Sequence, residues 1–312
     1  MNLIENVLRN SILLKPGENV LIIFDEEKED IANLFFKNCE KLRAEVYSSK
    51  IKVREETQRE PPFAIKEAMK FSDVILAITS ISLTHTKAVR EARVFGARIA
   101  SMPGISKKMF PALNVNYKKL SNECKRFAKI FEKAKTIRVK TKIGTNIVLK
   151  KGKRKVQVDD GILDKPGSLH NLPAGEVGIA PLENSSYGKI IFDTCMVGVG
   201  KIKFPIEVEV KKGKIIKISG DKEAEKLKEI LRKADKNSKV LCEFSVGMNK
   251  KAKIIGEILN DEKAYSTCHF AFGDNKNIGG KNESKVHIDG VIKNPTIWFD
   301  DKLVMKNGRL IA

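Results

Sequence analysis

The sequence predicts an α/β protein with two domains. An N-terminal open, mainly parallel α/β sheet domain is expected over residues 1–135, and a β-rich α+β domain over residues 136–312. Fully apolar runs alternate with helical patterns in the first part, which is typical of a buried parallel sheet covered by helices. After Thr136, alternating β-branched residues and glycine turns replace that pattern and indicate antiparallel strands. A length of 312 residues suits one large or two ordinary domains.

Four strands are predicted in the first domain, at residues 20–24, 44–47, 74–78 and 98–102, with helices at about residues 28–41, 61–69 and 84–95. The loop after the first strand contains Asp25, Glu26 and Glu27 and lacks the glycines of a dinucleotide-binding turn. These acids would repel a pyrophosphate at the start of the following helix. Dinucleotide binding is therefore not expected, and His85 is expected to be an ordinary residue at a helix start.

A helix over about residues 117–135 leads into the second domain, so the boundary is placed near Lys135. Beyond it, strands are predicted at residues 137–140, 145–149, 206–210 and 215–218, with one helix at residues 223–234.

The composition narrows the class of protein. Lysine and arginine (59) outnumber aspartate and glutamate (39), which gives a net charge of +20. The basic clusters at 150–155 and 211–214 contain no aromatic residue for base stacking, so no dedicated nucleic-acid site is expected. The five cysteines are widely spaced without a CxxC pair, which favours free thiols in a reducing cytoplasm. No signal-peptide pattern or membrane-length apolar run occurs, so a cytoplasmic protein without a membrane segment is expected.

Two histidines and an aspartate in the second domain suggest a metal site. In a strand, His287 and Asp289 would project from the same face, because alternate side chains share a face. His269 lies in a similar apolar, strand-like setting. Imidazole and carboxylate groups side by side are ligands for divalent metals. The alternative is that both histidines are ordinary core residues.

Acidic residues in apolar surroundings supply further candidate ligands. Glu176 is set among glycine, valine, isoleucine and proline, and Glu243 interrupts an apolar strand-like run. A cation would offset the cost of burying such carboxylates. Glu176 could instead be a turn residue, and Glu257 competes with Glu243 for the same role.

These residues lie within motifs that resemble a known family. Asn-Leu-Pro-x-Gly-Glu-Val and Ala-Pro occur within 171–181, Leu-x-Glu at 241–243, Cys-His-x-Ala-x-Gly at 268–273 and Ser-x-x-His-x-Asp at 284–289. In this order, together with Lys-Pro-Gly-Glu at 15–18, they resemble the thermophilic metalloaminopeptidases of the aminopeptidase T/S type.

The resemblance implies a C-terminal domain that binds two divalent metals, and a homodimer. The family's ligands would correspond to Glu176, Glu243, His269, His287 and Asp289. The motif spacing, and the leucine that precedes it, favour Glu243 over Glu257. One departure stands out, because Lys276 occupies the position where the family has a catalytic tyrosine.

The resemblance implies an aminopeptidase that removes N-terminal residues from short peptides. Two Zn²⁺, Co²⁺ or Mn²⁺ ions would activate a water molecule. Glu176 or Glu243 would be the general base, and Lys276 would stabilise the oxyanion.

Two other functions remain open. His269, His287 and Asp289 alone form the two-histidine, one-carboxylate set of non-haem Fe(II) oxygenases, and a ring-cleaving dihydroxypyridine dioxygenase resembles the same family. The retained Glu176 and Glu243 favour the hydrolase over this alternative. A non-catalytic structural protein is the third reading.

Overall fold

The computed structural model describes residues 2–53, 59–84 and 86–311, so the prediction for His85 lies outside the described residues. In chain order the elements up to residue 133 are α1 (Leu3–Asn10), β1 (Asn19–Asp25), α2 (Glu29–Lys41), β2 (Glu45–Ile51), α3 (Phe63–Lys70), β3 (Val74–Ile78), α4 (Lys87–Val94), β4 (Arg98–Ser101), α5 (Phe110–Leu113) and α6 (Tyr117–Lys133). The later elements are β5 (Thr136–Lys140), β6 (Asn146–Lys150), β7 (Gln157–Asp159), β8 (Leu169–Asn171), β9 (Glu176–Ile179), β10 (Tyr187–Phe192), β11 (Cys195–Met196), β12 (Gly200–Lys201), β13 (Ile206–Lys211), β14 (Lys214–Ser219), α7 (Lys222–Lys233), β15 (Leu241–Gly247), α8 (Ile258–Asp261), β16 (Thr267–Gly273), β17 (His287–Lys293), β18 (Thr296–Phe299), β19 (Lys302–Lys306) and β20 (Arg309–Leu310).

The first compact unit comprises Met1–Ser121 and Asp159–Ala174. Its strands form a parallel five-stranded sheet in the order β2-β1-β3-β4-β8. Strand β3 is buried along its whole length, and β1 is buried at every residue except Asn19. A continuous apolar sequence is what burial on both faces requires. The predicted α/β fold class is confirmed.

The division of the chain differs from the predicted boundary at Lys135. The first unit ends at Ser121 and also includes the later segment Asp159–Ala174, which contains β8. Strand β8 pairs with β4 in parallel, and the amide of Ile99 donates to the carbonyl of Ser168 at 2.9 Å. The three-residue strand therefore completes the N-terminal sheet.

The second unit comprises Asn122–Val158 and Gly175–Ala312. One sheet has the strand order β14-β13-β10-β6-β5-β18-β19-β20, and the other has the order β12-β11-β17-β16-β15-β9-β7. Phe131 of α6 stacks on Phe299 of β18, with ring centroids 4.3 Å apart, and meets Phe244 of β15 edge-on at 6.1 Å. These rings link the helix to both sheets. The two sheets make this unit β-rich, as predicted.

The central strands of the seven-stranded sheet have one apolar face and one polar face. Phe244 of β15 and Phe270 of β16 lie on the apolar face, with ring centroids 5.1 Å apart. Their sequence neighbours Glu243 and His269 therefore project from the opposite face. None of the helices in the described part of the chain is long and apolar enough to cross a membrane.

Candidate metal centre

Four adjacent strands bring the five predicted ligands together. Glu176 begins β9, Glu243 lies in β15, His269 in β16, and His287 and Asp289 in β17. These strands are neighbours in the order β17-β16-β15-β9. The alternation of side chains places the five groups on one face of the sheet.

Small residues on the same face make room for the five groups. Ala271 is the registered partner of both Glu243 and Asp289, so a methyl group separates the two carboxylates. A Cβ atom at Gly178 would lie 1.7 Å from the Oγ atom of Ser245. The absence of a side chain at Gly178 therefore lets Ser245 point into the cluster.

The ligand atoms of the five residues lie close together. The Nε2 atom of His269 is 3.5 Å from Glu243 Oε1, 3.7 Å from Glu176 Oε2 and 3.9 Å from Asp289 Oδ1. The Nε2 atom of His287 is 3.1 Å from Glu243 Oε2 and 3.2 Å from Asp289 Oδ1. Atoms that share one cation at about 2.1 Å lie roughly 3–4 Å apart. The cluster therefore has the spacing and ligand types of a divalent-metal site.

Buried charges of opposite sign stabilise each other in this cluster. Burial alone would lower the pKa of His269, but the hydrogen bond to Glu243 and the nearby carboxylates raise it to about 9. Burial likewise opposes a charge on His287, and the carboxylate of Asp289 raises the pKa of that imidazole well above its usual range. Burial would raise the pKa of Glu243, but its hydrogen bonds to both imidazoles hold that pKa well below its usual range. Glu243 therefore remains ionised although most of its side chain is shielded from water.

Hydrogen bonds behind the cluster orient two of its members. The Nδ1 atom of His287 lies 2.7 Å from the carbonyl oxygen of Asp274, which directs its Nε2 atom into the cluster. The hydroxyl of Ser245 donates to Glu243 Oε1 at 2.8 Å. Metal-ligating imidazoles characteristically donate their second ring nitrogen in this way. Among the described residues, His269 Nδ1 has no hydrogen-bond partner.

Sequence reasoning missed two residues of the cluster. The side chain of Lys263 is fully buried, and its Nζ atom lies 2.7 Å from Glu176 Oε1 and 2.8 Å from Glu262 Oε1. The carboxylate of Glu262 also has an oxygen within 4.8 Å of ligand atoms of His269 and Asp289. Both residues follow α8 in a run of polar residues that resembles a surface turn. An adjacent acid and base shortly before a candidate ligand strand was the available signal.

Two other candidates lie away from the cluster. Lys276 begins a short 3₁₀ helix, and its half-exposed ammonium group pairs with the exposed Glu283. Its predicted role as an oxyanion donor stays a prediction without a supporting contact among the described residues. Glu257 precedes α8 and does not belong to the groups of described ligands that meet at this face.

All five cysteines are buried free thiols. Cys242 and Cys268 adjoin cluster residues in sequence, and Cys242 Sγ lies 3.7 Å from His287 Nδ1. Burial raises the pKa of Cys242 to about 11 and that of Cys268 well above its usual value. Neither thiol readily becomes the thiolate that binds metals.

Comparison with known proteins identifies relatives over the whole chain. The family model described as NicX: 2,5-dihydroxypyridine 5,6-dioxygenase matches residues 1–312. A 2,5-dihydroxypyridine 5,6-dioxygenase of Pseudomonas putida is 24% identical over 270 residues, which are 80% of this chain and 74% of the relative. The solved structure of 2,5-dihydroxypyridine dioxygenase from Pseudomonas putida KT2440 has a TM-score of 0.84 at 20% identity, covering 99% of this chain and 96% of that chain. Wild-type AmpT from Thermus thermophilus has a TM-score of 0.75 at 17% identity, covering 99% and 98%.

These comparisons correct the predicted family and activity. Membership of the aminopeptidase T/S family is wrong, and so is the predicted hydrolase that removes residues from peptides, because the full-length family model and the curated relative are both dioxygenases. The pair of Zn²⁺, Co²⁺ or Mn²⁺ ions was predicted for the aminopeptidase reaction, so the comparisons do not support it either. AmpT shares the fold, so motifs that follow the scaffold do not by themselves distinguish the two reactions.

Proposed function

Because this chain belongs to the family of 2,5-dihydroxypyridine 5,6-dioxygenases, we propose that it uses dioxygen to open the ring of a dihydroxypyridine. The substrate named by the family is 2,5-dihydroxypyridine, and the bond cleaved joins ring carbons 5 and 6. Both oxygen atoms enter the ring-opened product, so no external reductant is consumed.

The position of Asp289 beside both imidazoles, those of His269 and His287, is the observation that supports this proposal. The Oδ1 atom of Asp289 lies 3.9 Å from His269 Nε2 and 3.2 Å from His287 Nε2. Two imidazoles and one carboxylate form the ligand set of non-haem Fe(II) oxygenases. The bond of His287 Nδ1 to a backbone carbonyl leaves its Nε2 atom available to a metal. The residue types present fit an Fe(II) ion, which would supply the redox chemistry between dioxygen and an electron-rich ring. Among the described residues, the ligand groups whose atoms all lie within 4.8 Å of one another join Asp289 to His287 and Glu243, or to His269 and Glu262, so the two imidazoles would have to move closer together to bind one ion.

The remaining carboxylates handle protons and charge. Glu243 is ionised and largely shielded from water, with Oε2 3.1 Å from His287 Nε2. In our proposal this carboxylate takes the proton of a substrate hydroxyl at Oε2, which makes the ring richer in electrons. The hydroxyl of Ser245 holds the other oxygen of Glu243 and so fixes the direction in which Oε2 points. Glu176 contributes negative charge beside His269, at 3.7 Å from its Nε2 atom.

The proposal is tested with protein loaded anaerobically with Fe(II) and mixed with 2,5-dihydroxypyridine in air-saturated buffer. We expect dioxygen uptake equimolar with substrate loss, and a product heavier than the substrate by one dioxygen molecule. Isotopically labelled dioxygen should place both labelled atoms in that product. The Pseudomonas putida relative serves as the positive control.

Matched histidine variants connect the activity to the site. His287→Ala should lose Fe(II) binding and ring cleavage, whereas His170→Ala, which alters a histidine of the first unit, should keep both. Fe(II)-loaded protein that takes up no dioxygen under conditions where the relative is active would refute the proposal. So would a fully active His287→Ala variant.

A further inference from the structure

Lys263 is a buried cation between two carboxylates at the edge of the cluster. Its side chain is fully buried, and its Nζ atom lies 2.7 Å from Glu176 Oε1 and 2.8 Å from Glu262 Oε1. The second oxygen of Glu176 lies 3.7 Å from His269 Nε2. One carboxylate thus spans the ammonium group and a proposed iron ligand, as bridging carboxylates span two metal ions.

The backbone around Lys263 is held in place. The carbonyl of Lys263 accepts a hydrogen bond from the amide of Asn249 at 2.8 Å. A Cβ atom at Gly247 would lie 2.1 Å from the carbonyl oxygen of Ala264 and 2.9 Å from that of Glu262. The missing side chain at Gly247 allows the segment 262–264 to lie directly on β15. Gly247 pairs in register with Glu176, so the ammonium group reaches that carboxylate from a fixed position.

The cluster contains more carboxylates than one iron ion needs. Four carboxylates surround the two imidazoles: those of Glu176, Glu243, Glu262 and Asp289. Among the described residues, three overlapping sets of three side chains have ligand atoms within 4.8 Å of one another, and each set could hold a metal ion. Buried carboxylates need compensating positive charge. Metal ions in two-metal sites are about 3.5–4 Å apart and share carboxylates. The ammonium group of Lys263 already supplies positive charge where such a second ion would be held.

We propose that Lys263 is a built-in substitute for a second metal ion, which restricts this site to one divalent cation. The ammonium group is a positioning group: it holds Glu176 and Glu262 by ion pairs and denies their oxygens to another cation. A dinuclear enzyme would use these carboxylates to bind its second metal ion. Here a mononuclear site retains them, because the ammonium group of Lys263 compensates their charge. The inference rests on the proposed function for its choice of iron ligands.

The test is a Mn²⁺ titration of the full-length protein, with metal content measured after equilibrium dialysis and the bound ions examined by electron paramagnetic resonance. Wild-type protein should bind one Mn²⁺ per chain and show the hyperfine-split signal of an isolated ion. Lys263→Met removes the charge at similar length, and it should bind a second Mn²⁺ whose spin coupling broadens the signal. Lys263→Arg keeps the charge and should retain one ion. Lys250→Met, which alters an exposed lysine of the same unit, should match the wild type.

Several results would overturn the proposal. A wild-type protein that binds two ions per chain refutes it whether or not the variants fold. A folded Lys263→Met variant that still binds one ion also refutes it, and Lys263→Gln, whose amide can donate to the same carboxylates, provides a second neutral side chain if the methionine variant does not fold. Metal stoichiometry does not depend on turnover. One ion in the wild type and two in Lys263→Met, together with no dioxygen uptake by the Fe(II)-loaded wild type, would therefore sustain this inference while refuting the proposed function.

Discussion

Removal of the Ser245 hydroxyl should weaken metal binding although the residue is not a proposed ligand. The hydroxyl is buried and donates to Glu243 Oε1 at 2.8 Å, while the other oxygen of that carboxylate lies 3.1 Å from His287 Nε2. Ser245→Ala would leave one carboxylate oxygen without this donor and allow the group to turn. Hydrogen bonds to charged groups contribute about 1.5–3 kcal/mol, and about 1.4 kcal/mol corresponds to a tenfold change in affinity. Glu243 contacts His287, a proposed iron ligand, so a Glu243 carboxylate that turns away should lower metal affinity about 10- to 100-fold, the range found for groups that orient metal ligands.

The matched control is Ser186→Ala. Ser186 is fully buried in the same unit, and its hydroxyl has no hydrogen-bond partner among the described residues. Both substitutions delete one buried oxygen, so their difference isolates the bond to Glu243. The assay is competition for Mn²⁺ against a chelator of known affinity. Equal Mn²⁺ affinities in the two variants would show that Ser245 does not orient Glu243.

Three further predictions concern other parts of the molecule. Burial alone would lower the pKa of His170, but its bond to Asp159 and the neighbouring aspartates raise it above 6.5. The resulting stabilisation is present below pH 6.5 and is lost as the pH rises through the pKa of His170 in the folded protein. His170→Gln should therefore lower the melting temperature more in acid than at about pH 9, and an equal decrease at both pH values would contradict this. Gly178→Ala should destabilise the metal-free protein by about 1–3 kcal/mol, because its Cβ would overlap the Ser245 hydroxyl, and an unchanged melting temperature would exclude that overlap. Lys276→Met should leave Fe(II) content and ring-cleavage rate within about twofold, since exposed ion pairs contribute little; a tenfold or greater loss in rate would instead support its predicted catalytic role.

Local sequence patterns predicted most of the first sheet. Strand β3 was predicted with its observed limits, because five consecutive apolar residues can be buried only inside such a sheet. Strand β8 was missed. It has three residues and joins the sheet from beyond the predicted boundary, at β4. Pairing between segments about 70 residues apart leaves no periodic signal in either of them.

The cluster was predictable where strand alternation decides geometry. His287 and Asp289 project together because alternate residues of a strand share a face, and register then adds Glu243 and His269. Lys263 was not predictable in this way, since its position depends on how the loop after α8 lies against Gly247. The reaction was not predictable from the ligands either. The trio expected of an oxygenase is a subset of the five expected of the hydrolase, and the predicted homodimer stays a prediction.

The enclosed thiols have a consequence for a protein proposed to handle dioxygen. Cysteine oxidation begins from an accessible thiolate and proceeds through sulfenic acid to irreversible products. All five cysteines here are buried, and burial raises the pKa of Cys39 to about 12 and of Cys242 to about 11. The protein therefore exposes no oxidisable sulfhydryl to the reactive oxygen species that escape from failed turnovers. Inactivation in air should follow loss of Fe(II) to its ferric form and be reversed by a reductant with fresh Fe(II), leaving the count of titratable thiols in the denatured chain unchanged.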